Sequence, residues 1–241
     1  MPDSPDYSKY NLQTQRVSLQ DMGELAARLG AVSKLYRTGV TVFIDDFSCG
    51  LGHALYGQVG GNSLTSLIAT NTLSNPYAAL MLTDNVPGSS SFLYYELGHI
   101  NTGKTGVEFS FRTSSYFGIV NFYCIVYDGT NKRIAQATLD QPNNKIKISI
   151  AGGVEQQLAT FPTYIGVSTI THFLKLVFDV STSMYVSLTL DDIVYSVSQY
   201  SLSSVVSATN PLIQAGVQNN YVSGQTPSLV LDYFILTQSE P

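Results

Sequence analysis

His172-Phe-Leu-Lys-Leu-Val-Phe-Asp-Val180, followed by Met184-Tyr-Val-Ser-Leu-Thr-Leu-Asp-Asp-Ile-Val-Tyr-Ser-Val197, is the part of this chain whose pattern decides the fold. Leu174, Leu176, Phe178 and Val180 fall on one side of an extended backbone, with Lys175 and Asp179 on the other. A period of two predicts a strand with one buried face. Met184, Val186, Leu188 and Leu190 then alternate with Tyr185, Ser187 and Thr189, the pattern breaks at Asp191-Asp192, and it resumes as Ile193 to Val197. Two strands, a tight turn and a third strand are expected.

Reading outward, the same period recurs along the chain. Val40 to Ile44 reads as the first strand, running into Asp45-Asp46-Phe47; Val107, Phe109 and Phe111 alternate with Glu108, Ser110 and Arg112. Ile119 to Tyr127 is a nearly continuous apolar run that ends in the turn signal Asp128-Gly129, and Arg133 to Leu139 is expected to pair back across it. Ile146, Ile148 and Ile150 form another strand, and Ser228 to Leu236 closes the domain. Residues 50–90 and 199–227, rich in Ser, Thr, Asn and Gly, read as longer loops. Short strands at this spacing predict an all-β antiparallel sandwich over residues 39–241.

Residues 1–38 differ in kind. A polar stretch with Pro2 and Pro5 precedes Ser18-Leu-Gln-Asp21, a helix-start pattern in which Ser18 can cap exposed amides. Leu19, Met22, Leu25, Ala26 and Leu29 follow at helical spacing, with Gly30 placed to end the helix. An extended arm and one short amphipathic helix are expected, and two uses compete for the stripe. Leu19, Met22, Leu25 and Leu29 either pack on the chain's own β-domain or mediate oligomerisation or attachment to a neighbouring subunit.

Composition excludes several function classes. Charged residues make up only 12%, the net charge is −5, and the 12 Lys and Arg form no basic run, so binding to nucleic-acid phosphates is not expected. Apolar runs fall far short of the roughly 20 residues of a membrane helix. The N-terminus lacks the basic and apolar regions of a secretory signal. Cys49 and Cys124 have no zinc-type spacing, and nothing requires them to pair.

The strand into Asp45-Asp46-Phe47, the central His172-to-Asp179 run, the Tyr185-to-Val197 hairpin and the closing Leu231-Asp232-Tyr233-Phe234 together resemble concanavalin A-like, laminin-G-type jelly-roll domains. The resemblance covers about residues 40–238 and implies a jelly-roll β-sandwich. It departs from the pattern in lacking the Trp usual near Phe173 and in having Asp191-Asp192 where Asp-Gly or Asn-Gly is common. It implies a structural calcium near the first and last strands, for which Asp45, Asp46 and Asp232 are candidate ligands; capping of turns or pairing with Lys and Arg is the competing role. It also implies glycan binding, and with Trp absent the loop tyrosines Tyr56, Tyr94, Tyr95 and Tyr221 are the candidate platforms. The competing role for these is packing and subunit contact.

Enzymatic activity is not expected. No strand presents Glu-x-Asp or Glu-x-Glu, Glu96, Glu108 and Glu155 stand alone, and His53, His99 and His172 have no local partner for a serine-type triad. The leader from Tyr7 to Gly30 resembles that of tailed-bacteriophage and prophage virion proteins carrying such a jelly roll. That likeness implies a capsid- or tail-associated, decoration-like structural protein in the virion, assembled in the host cytoplasm. The expected partners are further copies of the chain, in a trimer or similar ring, and other virion proteins. A lectin-like module or adhesin is the alternative, and a polysaccharide-degrading enzyme a third.

Overall fold

The computed structural model describes residues 39–69, 77–98, 103–114, 116–162, 165 and 170–241. The arm, the expected helix with Leu19, Met22, Leu25 and Leu29, and His99 lie outside the described residues. Among the described residues sixteen strands follow in order: β1 Val40–Asp45, β2 Leu55–Val59, β3 Leu64–Ile68, β4 Ala78–Leu82, β5 Ser90–Gly98, β6 Lys104–Thr113, β7 Ile119–Tyr127 and β8 Asn131–Asp140. Then come β9 Lys145–Ile150, β10 Val154–Thr160, β11 Thr171–Asp179, β12 Met184–Leu190, β13 Ile193–Tyr195, β14 Ser203–Val206, β15 Leu212–Asn220 and β16 Ser228–Gln238.

They form two antiparallel sheets. The first runs β13-β12-β11-β6-β16-β4-β3, with β1 also on β16; the second runs β10-β9-β8-β7-β15-β5-β2, with β14 also on β8. This is the expected jelly-roll sandwich. Inward residues of both sheets interlock, with Phe109, Phe111, Phe122 and Phe234 fully buried and ring centroids from 4.8 to 5.3 Å apart. Each such side chain contributes roughly 1.5–3 kcal/mol by leaving water. Tyr185 ties the layers together, its hydroxyl donating to the Ser149 carbonyl at 2.6 Å and accepting from the Gln136 amide at 3.0 Å.

Several expectations change. The segments read as loops hold β2 to β4 and the start of β5, and β14 and β15; β15 sits at the middle of the second sheet between β7 and β5. In the deciding hairpin the inward face of β12 is Tyr185, Leu188 and Leu190, while Met184 and Val186 are only half-buried. A register shift opposite Val177 and Phe178 pairs Phe178 with Tyr185 and resets the alternation. The turn after it has two residues, since Leu190 pairs with Ile193, and Asp191 adopts a φ of +54° that glycine more often takes. Its carboxylate holds the strained position, accepting from the Phe173 amide at 2.9 Å and lying 3.0 Å from His172 Nδ1.

β11 also departs from a strand with one buried side. β7 alternates between buried and half-buried residues, the mark of a sheet face open to water, whereas β6, β11 and most of β16 are buried at nearly every position. Cys49 and Cys124 are both free thiols, the first exposed and the second in the core. No helix among the described residues is long and apolar enough to cross a membrane.

Candidate functional site

Strand register assembles a continuous surface on the outer face of the second sheet. One line runs across seven strands as Gly57, Phe92, Gln218, Asn121, Thr138, Lys147 and Gln157, each paired with the next. At about 4.8 Å per strand it is roughly 29 Å long. The adjacent line holds Leu55, Tyr94, Gly216, Tyr123 and Gln136. Alternation puts these side chains outward because their neighbours Leu93, Val217, Phe122 and Ala137 belong to the core.

Three features shape the surface. Gly216 stands between Tyr94 and Tyr123, so no side chain separates the two rings. Any Cβ there would lie 2.2 Å from the Leu93 carbonyl oxygen. Phe92 packs beside Tyr94, with centroids 5.9 Å apart, and its ring lies over Gly57. Amides border the rings: Gln136 donates to Thr138 at 3.1 Å, Thr138 donates to Asn121 at 2.9 Å, and Gln214 donates to Glu96 at 3.4 Å. Burial first, and then the neighbouring Tyr94, push the Tyr123 phenol above its ordinary pKa.

Carboxylates on this face are tied up or alone. Lys147 Nζ sits 2.6 Å from Asp140 and 2.8 Å from Glu155. Burial works against ionisation of Asp140, but hydrogen bonds from Lys147 and Asn143 outweigh it and lower its pKa. A carboxyl held ionised in this way is a poor general acid.

The sequence-predicted residues are dispersed. Tyr94 lies in the surface just described. Tyr95 is corrected: it is 1% exposed, stacks on Phe234 at 4.8 Å and donates its hydroxyl to Asp45 at 3.0 Å, so its face cannot meet a sugar. Tyr56 is exposed on the edge strand β2 and lines a separate cleft of about 530 Å³ with Leu51, Ala54, Thr65 and Leu67. Tyr221 lies just past β15, its amide donating to the Ser89 carbonyl at 2.9 Å.

The calcium set is not brought together. Asp45 accepts from the Phe47 amide and from Tyr95, Asp46 accepts from the Ser48 amide, and Asp232 pairs with Arg112 at 3.6 Å. Among the described residues no group of three His, Cys, Asp or Glu is placed to hold a metal. The aspartates cap turns and pair with Arg, the role that competed with metal binding. His172 is buried against Phe111 and paired with Asp191, while His53 is exposed, so these two histidines are far apart in role.

Phe92, Tyr123, Asn121, Gln136, Gln214 and Gln218 were not singled out from sequence. The usable signal was the alternation of Asn121 and Tyr123 within β7, masked because Ile119 and Ile125 share their outward side.

No protein-family model and no curated protein matches the sequence. Solved structures do. An endo-beta-1,4-glucuronan lyase from the fungus Trichoderma reesei has a TM-score of 0.58 at 11% identity, over 83% of this chain and 96% of that one. A conserved carbohydrate esterase from the Shiga toxin-encoding bacteriophage phi24B has a TM-score of 0.51 at 14% identity, over 84% of this chain and 100% of that one. A glycosidic hydrolase has a TM-score of 0.52 at 12% identity, over 85% and 100%. At these identities the shared property is the fold, a two-sheet antiparallel jelly-roll sandwich.

Proposed function

We propose that this chain is a non-enzymatic glycan-binding β-sandwich whose platform is the outer face of the second sheet. The observation that carries the reading is the register that sets Tyr94, Gly216 and Tyr123 in one line, flanked by Phe92 and a band of Asn and Gln side chains. Aromatic faces offer apolar contact to the C–H side of a sugar, and amides match its hydroxyls as donors and acceptors. Among the described residues of this face the acidic groups lie apart from that line or are held by Lys147, which favours binding over cleavage.

Glycan-array screening of the full chain, followed by calorimetry, tests it. Tyr123→Ala and Tyr94→Ala should each weaken binding by about thirtyfold, the loss of a buried aromatic anchor. Tyr56→Ala, in the separate cleft, should leave affinity unchanged. Absence of any glycan ligand, or loss of affinity with Tyr56→Ala alone, overturns the placement, and release of shortened products overturns the non-enzymatic reading.

A second reading, compatible with the first, makes the chain a capsid- or tail-associated virion protein. It rests on the leader's resemblance to virion proteins and on the jelly roll shared with a phage protein. Stoichiometric presence of the chain in purified particles would support it, and absence from them would remove it.

A further inference from the structure

The strand register that builds the tyrosine line also fixes the charges around it. One row along the strands from Tyr94, Gly216 and Tyr123 lie Glu96, Gln214, Ile125, Ile134 and Ser203, each paired with the next. The row on the other side runs through Gly57, Phe92, Gln218, Asn121 and Thr138 and meets a charge only at Lys147. Neighbouring rows are two residues apart on each strand, about 7 Å. Glu96 is exposed, and it accepts from Gln214 Nε2 at 3.4 Å. That bond draws its carboxylate toward β15, whose Gly216 lies between the two rings.

The cations of this face stand further off. Lys147 is on β9, two strands and one row from Tyr123, or about 12 Å on the diagonal. Asp140 and Glu155, at 2.6 and 2.8 Å, offset its charge. Lys132 lies opposite Tyr127 and Lys145 opposite Asp140, each two rows from the tyrosine line, about 14 Å. At physiological ionic strength exposed charges are largely screened beyond about 8 Å. Among the described residues of this face, Glu96 is inside that distance of the rings and the lysines are outside it.

We propose that the platform selects neutral glycans and that Glu96 sets the preference by repelling uronate, sialic acid and sulfate groups. The inference rests on the glycan-binding reading above and adds to it the class of sugar. An acidic sugar seated on Tyr94 brings its negative charge to about 7 Å from Glu96. Two like charges at that separation in water cost about threefold in affinity. Hydroxyl and N-acetyl groups meet no such penalty, since they donate to a carboxylate and pair with the surrounding amides. Discrimination then comes from an element placed against the wrong ligand as well as from contacts to the right one.

Calorimetry on the full chain tests this with two probes, the neutral glycan held most tightly on the array and the same glycan with its primary hydroxyls oxidised to uronates. The first pair to compare is β-1,4-linked tetraglucose and tetraglucuronate. The neutral member should be favoured by about threefold or more at low salt, and the gap should narrow as salt rises. Glu96→Gln, an exposed and nearly isosteric change, should raise uronate affinity about threefold and close most of the gap. Glu155→Gln removes the same charge on β10, beyond Lys147, and should leave the gap as it is. Array ligands that are all acidic, or a uronate bound as tightly as its neutral counterpart, overturn the proposal. So does a gap untouched by Glu96→Gln, or one closed equally by Glu155→Gln, because the net charge of the chain would then set it. Those outcomes leave glycan binding standing, whereas failure to bind any glycan removes that reading and this inference together.

Discussion

Asp128 shows how a turn residue read from sequence acquires a measurable property. Its carboxylate accepts from the Asn131 amide at 2.6 Å and the Thr130 amide at 2.8 Å, and Arg133 donates to it at 2.6 Å. These bonds, the Asn131 and Thr130 amides ahead of the guanidinium, lower its pKa to about 2. An unfolded aspartate titrates near 3.9, so the folded state prefers the ionised form and gains stability that is full above about 3.9. That stability is lost as pH falls through about 2. Asp128→Asn should therefore be less stable than the parent at neutral pH, with the gap in urea midpoint closing as pH drops between these values. A gap that stays constant with pH would count against the assignment. Carbon NMR of the carboxyl should give a midpoint near 2, and Arg133→Ala should raise it only part of the way, because the backbone donors come first.

The element with most influence on the site is β15, and its glycine carries a sharp test. A Cβ at Gly216 would meet the Leu93 carbonyl at 2.2 Å and the Tyr94 Cα at 2.6 Å, both backbone atoms that move only if β5 and β15 separate. At Gly57 the obstacle is the tip of the Phe92 ring, 2.8 Å away, which can swing aside. Gly216→Ala should cost about 3 kcal/mol or more in urea unfolding, and Gly57→Ala about 1 kcal/mol or less. Equal costs would mean that the two strands are not held at this spacing. β15 also marks where sequence reading stopped. β6, β7, β8, β9, β11 and β16 were legible because their apolar residues run in step or nearly unbroken. Leu212–Asn220 was not, since Ala215 and Gly216 weaken its inward and outward sets and Gln, Asn and the preceding Pro211 resemble a loop. The site was still less legible: Tyr94 and Tyr95 are equivalent in sequence, and only the register sends one outward and the other to Asp45. Burial of β11 on both faces depends on contacts distant along the chain, which a period of two cannot report.

At the scale of the whole molecule the two outer faces have opposite characters, one half-exposed and rich in amides and aromatic rings, the other closed over apolar groups and ion pairs. The core between them behaves as one unit if it is continuous, and Cys124 is placed to measure that. It is fully buried in β7, flanked across the strands by Ala135 and Ala215, and burial pushes its thiol well above the ordinary pKa. Reaction requires a solvent-exposed thiolate, so the route to labelling is an opening of the central second sheet. Cys49 is exposed and needs none. In native buffer Cys49 should react with a thiol reagent at the rate of a free peptide, and Cys124 at least about a thousandfold more slowly, as a domain of ordinary stability allows. In the regime where closing outpaces labelling, adding urea should raise the Cys124 rate with the slope of global unfolding. A Cys124 rate that is fast and insensitive to urea would mean that β7 opens locally, and that the sheet presenting Tyr94 and Tyr123 is not the rigid platform a preorganised binding face requires.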